Sequence, residues 1–245
     1  MQKEMLENLR RETLEIVDDL KKASLVEYLE CEDKRDGSRF NVLTSPGAFG
    51  KNRNIVVVSG VPEEAGVWSY TLLSRGSREE TSMKRYFEMA KKLNWGMIVL
   101  NPHGRGRIGD EEEYLFQLET ILKVLYEENS ERSIVFLCFS AGGSVVLKLL
   151  NSHAEIAKSI EGVILIDTTP PPLVSGSIIE EVRDLISKTV LYGLKDEKGN
   201  ISPYASATSA VLGIRPIPVS AGIHGDLPSL LIEDVKRYLE SLSFR

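Results

Sequence analysis

From residue 55 onward, short runs that are apolar at every position alternate with longer stretches in which apolar residues recur every three or four. Ile55-Val56-Val57-Val58 is β-branched and apolar on both faces, the pattern of a strand covered by helices on both sides. Similar runs at 95–100, 133–139 and 162–166, and weaker ones at 189–192 and 216–221, predict further strands. Between them, helical periodicity covers 80–93, 111–128, 144–150, 177–187, 203–212 and 228–242. Regular alternation of this kind predicts an α/β domain built on a mostly parallel sheet flanked by helices. Pro216 and Pro218 suit an edge position for the last strand, because proline cannot donate to a central ladder.

The chain before residue 55 reads differently. Leu6, Leu9, Leu14, Val17 and Leu20 lie among Glu, Arg and Lys, which predicts an amphipathic helix over 4–23. Two short extended runs, 25–32 and 38–44, flank Asp36-Gly37, a turn signal, and predict a hairpin at one edge of the sheet. With no repeat or linker in view, residues 25–245 form one domain, and 1–24 form a helix packed on or beside it. That helix either packs on the sheet or serves a partner chain, as in a homodimer; packing is the simpler expectation.

Composition narrows the function. Among 245 residues the net charge is −6 and the basic residues are dispersed, which argues against a nucleic-acid surface. No apolar run reaches membrane-spanning length, and the polar, acidic N-terminus is unlike a signal peptide. Two cysteines, Cys31 and Cys138, make no disulfide framework, so a reducing, cytoplasmic setting is expected. Gly104-Arg105-Gly106 lacks the spacing of a dinucleotide fingerprint, and Gly142-Gly143 is not followed by the Lys-Ser/Thr of a phosphate loop. Histidine, cysteine and aspartate show no zinc-ligand spacing. No cofactor and no metal are expected; the expected partner is a small-molecule substrate.

The chemistry concentrates at 133–143. An apolar run enters Ser140 directly, Ala141, Gly142 and Gly143 follow, and a helical segment begins. Strand, serine, small residues, helix is the layout of a nucleophile elbow, where crowding between strand and helix demands small neighbours. The amide of Ala141, at a helix start, is placed to bind a developing oxyanion. A serine hydroxyl is a poor nucleophile without a base beside it. Of the three histidines, His153 lies near a helix end, His103 at the level of the strand ends where it could line a pocket, and His224 in a Gly-flanked loop after the last strand. Two aspartates follow strands: Asp196, in Gly193-Leu194-Lys195-Asp196, and Asp167, directly after 162–166. Asp226 is too close in sequence to His224 to orient it and is expected to cap the closing helix.

In this order of features the chain resembles the α/β-hydrolase superfamily over nearly all of 25–245. Ser59-Gly60 stands in the place of that family's oxyanion loop, Asn101-Pro102-His103-Gly104-Arg105-Gly106 is similar to its Asp-x-Arg-Gly-x-Gly loop, and the serine, acid and histidine follow in the family's chain order. Cys138 departs from the family's first elbow glycine, Ser59 from its frequent histidine and Asn101 from its frequent aspartate. The resemblance implies a serine hydrolase acting through Ser140, His224 as base and Asp196 as acid, with Asp167 the alternative acid. It implies an oxyanion hole from Ala141 and the Gly60–Val61 region, and His103 beside the pocket. Arg105 and Arg107 either hold their loop or attract an anionic substrate. A short lid is expected at about 168–187, hence an ester, thioester or amide substrate of small or medium size. The alternatives are an acyltransferase using the same residues and a non-catalytic binding or scaffold protein on the same fold.

Overall fold

A computed structural model describes residues 2–33, 37–60, 63–103, 111–129, 131–170 and 184–242. Its centre is one sheet with strands β1 (Glu27–Glu32), β2 (Arg39–Thr44), β3 (Arg53–Val58), β4 (Gly96–Val99), β5 (Ser133–Phe139), β6 (Ile160–Ile166), β7 (Thr189–Lys195) and β8 (Ile217–Ser220). They lie in the order β1-β2-β4-β3-β5-β6-β7-β8. β1 and β2 form the expected antiparallel hairpin and β2 joins β4 antiparallel. From β4 to β8 every pair is parallel. Pro218 sits in β8, at the sheet's edge.

The central strands are apolar throughout because both of their faces are covered. Along β3, Ile55 and Val57 enter one core, and Val56 and Val58 the other. This alternation is the period-two geometry of a strand. The first core is closed by helices α1 (Gln2–Lys22), α4 (Lys84–Leu93) and α9 (Ile232–Leu242), with the short helices α2 (Tyr70–Leu73), α3 (Arg78–Thr81) and α8 (Leu227–Leu230) beside them. The second is closed by α5 (Glu111–Glu128), α6 (Gly142–Ser152) and α7 (Pro203–Leu212).

Helix α1 packs on the sheet rather than standing off it. Leu9, Thr13, Ile16, Val17 and Leu20 form its buried stripe, and Arg10 reaches Glu64 at 3.0 Å. Leu14, expected in the stripe, points outward; Ile16 takes that place, because the inward face advances by three or four residues. Other expectations change too: the helix expected at 80–93 is α3 followed by α4. The final helix is two helices, α8 and α9, and β7 runs three residues past 192. Most of the expected helix at 177–187 and of the expected lid falls on 171–183, outside the described residues; 184–186 are helical.

This topology has one switch point. From β3 the chain crosses to β4 on one side, then returns to β5 on the other. A crevice opens beyond the carboxyl ends of strands at such a reversal, and ligands of open α/β sheets bind there.

Candidate active site

Ser140 follows the last residue of β5, and its φ is +55°. A non-glycine residue in that region stores roughly 1–3 kcal/mol of strain, which the surrounding structure must hold in place. Two approaches hold it. A side chain at Gly142 would place its Cβ 1.9 Å from the carbonyl oxygen of Val58, and one at Gly143 would meet Thr168 at 2.4 Å. The first turn of α6 thus presses against the end of β3 and against the loop after β6, and only glycine fits. The Ser140 amide donates to Ile166 O at 3.2 Å, and its carbonyl accepts from Thr169 N at 3.1 Å. Cys138 is fully buried in the core under α5, α6 and α7, and burial pushes its thiol pKa upward.

One strand over, Asp167 also has a positive φ, +44°, and is 1% exposed. Its Oδ2 lies 2.7 Å from Nδ1 of His224. Its Oδ1 accepts from the hydroxyl of Ser202 and, at 3.4 Å, from the amide of Leu194. His224 opens the short turn after β8, and its ring stacks on Phe139, the residue before Ser140, at 4.5 Å and 20°. Its Nε2 has no hydrogen-bond partner among the described residues. Tyr204, half exposed, lies 6.0 Å from the imidazole.

Asp196, expected beside the imidazole, is not there. It lies fully exposed beyond β7, and Asn200 binds it through its amide at 2.8 Å and its side chain at 3.0 Å. These bonds, the side-chain one foremost, hold its carboxyl below the usual range. The reason is strand length: β7 carries the chain past the level of the histidine before Asp196 is reached, whereas β6 stops at Ile166 and delivers Asp167 beside β5. Asp226 does not cap the helix after it; its Oδ2 accepts from Ile223 N at 3.0 Å and braces the histidine turn.

The end of β3 forms the third side. A Cβ on Gly60 would stand 3.5 Å from the Ser140 Cβ and 3.0 Å from Oε2 of Glu63. Ser59 and the buried Tyr114 share a 3.0 Å hydrogen bond, and the Tyr114 hydroxyl donates to Gly60 O at 3.0 Å, so α5 fixes this loop. Glu63 has its pKa raised by burial, against the opposing effect of hydrogen bonds from backbone amides and of His224 and His103. His103 is buried, its amide donating to Asn101 Oδ1 at 3.1 Å, and Gln117 of α5 clasps Asn101 on both backbone groups. Val61, Arg105 and Arg107 lie outside the described residues. His153 sits away at the end of α6, 3.6 Å from Glu119.

Of the residues named from the sequence, Ser140, Ala141, Gly60, His103, His224 and Asp167 lie at one end of the sheet, Asp196 lies apart, and Val61 is outside the described residues. Sequence reasoning missed Glu63, Tyr114, Ser202 and Tyr204. Only Ser202 carried a local signal, Ser-Pro ahead of a helical run, which marks an N-cap. Among the described residues, no group of His, Cys, Asp and Glu could hold a metal ion, and no helix is long and apolar enough to cross a membrane.

No family model matches the sequence, and no curated protein matches it. Solved structures do. A predicted CIB-like hydrolase from Thermoplasma acidophilum is 14% identical, with a TM-score of 0.57 over 88% of this chain and 98% of its own. Est1E from Butyrivibrio proteoclasticus is 13% identical, with a TM-score of 0.56 over 89% and 99%. An α/β serine hydrolase without a lid from Xanthomonas campestris is 12% identical, with a TM-score of 0.52 over 89% and 93%. At such identities the likeness speaks to architecture, and it agrees with the strand order and the switch point: the chain has the α/β-hydrolase fold.

Proposed function

We propose that this protein is a serine hydrolase that cleaves an ester, thioester or amide of a small or medium-sized molecule through an acyl-enzyme. Ser140 is the nucleophile, His224 the base and Asp167 the acid. The observation that carries the reading is the 2.7 Å contact between Asp167 and His224 Nδ1, on a ring stacked against the residue preceding a strained serine. Asp167 replaces Asp196, the acid expected from the sequence, because Asp196 is bound to its own turn.

Each step follows from those positions. With Nδ1–H held by Asp167, Nε2 is left as the basic nitrogen. It takes the proton of Ser140 as the hydroxyl attacks the acyl carbon, and Asp167 stabilises the imidazolium. The carbonyl oxygen becomes an oxyanion, for which the Ala141 amide at the start of α6 is the first donor; the second belongs to the Gly60–Val61 region. The imidazolium then protonates the leaving group. Water, activated by the same nitrogen, attacks the acyl-enzyme and releases the acid. Ser202 is not the nucleophile in this scheme, since its hydroxyl bonds to Asp167 and not to the ring.

The lidless relative and the limited chain between Asp167 and β7 support a substrate without a long acyl chain. Two buried, unpaired cysteines fit a reducing compartment and hence a cytoplasmic place. The test is a fluorophosphonate probe read by intact mass. A single adduct on wild type, mapped to Ser140 and lost in Ser140→Ala and His224→Gln, is expected. An unlabelled, folded protein would leave a non-catalytic binding protein as the better reading.

A further inference from the structure

The carboxylate of Asp167 has two oxygens, and the scheme above uses one. The other is occupied by Ser202, and the hydrogen bonding of that serine is fully determined. As N-cap of α7 its Oγ accepts from Ala205 N at 3.2 Å. Its one proton is therefore left for Asp167 Oδ1. Among the described residues, the other donor to that oxygen is the Leu194 amide, at a long 3.4 Å. A second tie runs in parallel, as Thr208 Oγ1 of α7 donates to Thr168 O at 2.7 Å. The helix also packs tightly on β7, since a Cβ on Gly193 would lie 2.7 Å from that of Ala205.

We propose that Ser202 is a positioning residue of the hydrolase: by donating to the outer oxygen of Asp167 it fixes the rotation of the carboxylate and limits the negative charge that the inner oxygen presents to His224. The proposal rests on the assignment of Asp167 and His224 as acid and base. The reason is electrostatic. A carboxylate that is 1% exposed must have both oxygens satisfied, and a donor on one of them makes the group less basic toward its partner on the other. The positive end of α7 acts in the same sense through its N-cap. Other titratable groups lie near the ring. Glu63 and His103 lie across the crevice, and Asp226 braces the same turn. None of them touches Oδ1. Tyr204, two residues beyond Ser202, stands at the rim beside the imidazole, so one helix both holds the acid and faces the entrance.

The test is the ring titration of His224, followed by NMR in a protein with three histidines and assigned with His224→Gln. It needs no turnover, so it is independent of the fluorophosphonate result that judges Ser140. Ser202→Ala is expected to raise the His224 midpoint by about half a unit, because the carboxylate, deprived of its donor, favours the imidazolium more strongly. Ser202→Gly, which keeps most of the capping tendency, should raise it equally, and Ser202→Thr should restore the wild-type value. The acid limb of kcat/KM should move with the midpoint, and kcat on the plateau should fall roughly three- to tenfold with KM little changed. A midpoint that stays put or falls in Ser202→Ala and Ser202→Gly would overturn the proposal, leaving Ser202 as a helix cap alone. So would a shift in the Ala variant that tracks its melting temperature and is absent from the Gly variant. Should the midpoint rise while no adduct forms on Ser140, the charge-sharing role stands and the hydrolase reading falls.

Discussion

Two aspartates stand just beyond the ends of neighbouring parallel strands, and only one of them meets the histidine. Asp167, after β6, is buried, has a left-handed backbone and gives both oxygens to partners far away in sequence. Asp196, after β7, is exposed and spends both oxygens on Asn200, four residues away. Which carboxylate meets the histidine is thus decided by where its strand stops, not by its immediate neighbours in sequence. A local turn satisfies a carboxylate at low cost in order and leaves nothing for a distant ring. A long-range contact with the imidazole places it at the cost of burial and strain.

The sharpest way to break this comparison is Asp167→Asn. The imidazole would lose the carboxylate that sets its tautomer, and kcat should fall on the order of 10⁴-fold with the fold intact by circular dichroism. A loss below tenfold would remove Asp167 from the mechanism. Next comes Gly143→Ala, which drives a methyl into Thr168, the neighbour of Asp167. Overpacking of this kind costs about 1–3 kcal/mol, read as a lower urea midpoint, and activity should fall more than stability because the acid is displaced.

Glu63→Gln sharpens the picture through pH. The folded-state pKa of Glu63 is raised by burial, so between the unfolded value and that raised value the native state holds more protons. Stability from this group is therefore lost as pH rises through that window and stays lost above it. The variant should melt higher than wild type at neutral pH, and the gap should close in acid. Equal melting temperatures at every pH would mean that burial is not felt at this carboxyl. The smallest effect belongs to Asp196→Asn. Turnover should stay within about twofold, as expected for a surface change away from the site. The folded-state pKa of Asp196 is lowered by Asn200, so its contribution is present above the unfolded value and lost as pH falls through the folded one. A slight loss of melting temperature at neutral pH, absent in acid, would show this.

The layers of the fold were legible because the central strands are apolar on both faces, a pattern that little else produces. The elbow was legible because its crowding writes small residues into the sequence at 141–143. The partner of the histidine was not, since residues 189–195 carry no local mark of where pairing with β8 ends, and Gly193 within the strand reads as a stop. Tyr114 and Glu63 were illegible for another reason. Each reaches the site from an element whose periodicity or loop character accounts for it fully, so nothing is left over to flag a contact. Leu14 and Ile16 show the same limit on a smaller scale: both fit an apolar stripe, and only the neighbouring elements decide which is covered.

The two cores differ in when they can be completed. The core under α5 and α6 is assembled largely from the middle of the chain, between about residue 98 and residue 165. The other needs Leu9, Val17 and Leu20 from the first helix together with Val235 and Leu239 from the last. A chain emerging from the ribosome can therefore close the first layer while its tail is still being made. Helix α1 itself meets neighbours early in the chain, a Cβ on Gly66 lying 2.6 Å from Val17 and Arg10 bonding Glu64, so its stripe can be covered before α9 is made, and only the completed layer waits for the last helix.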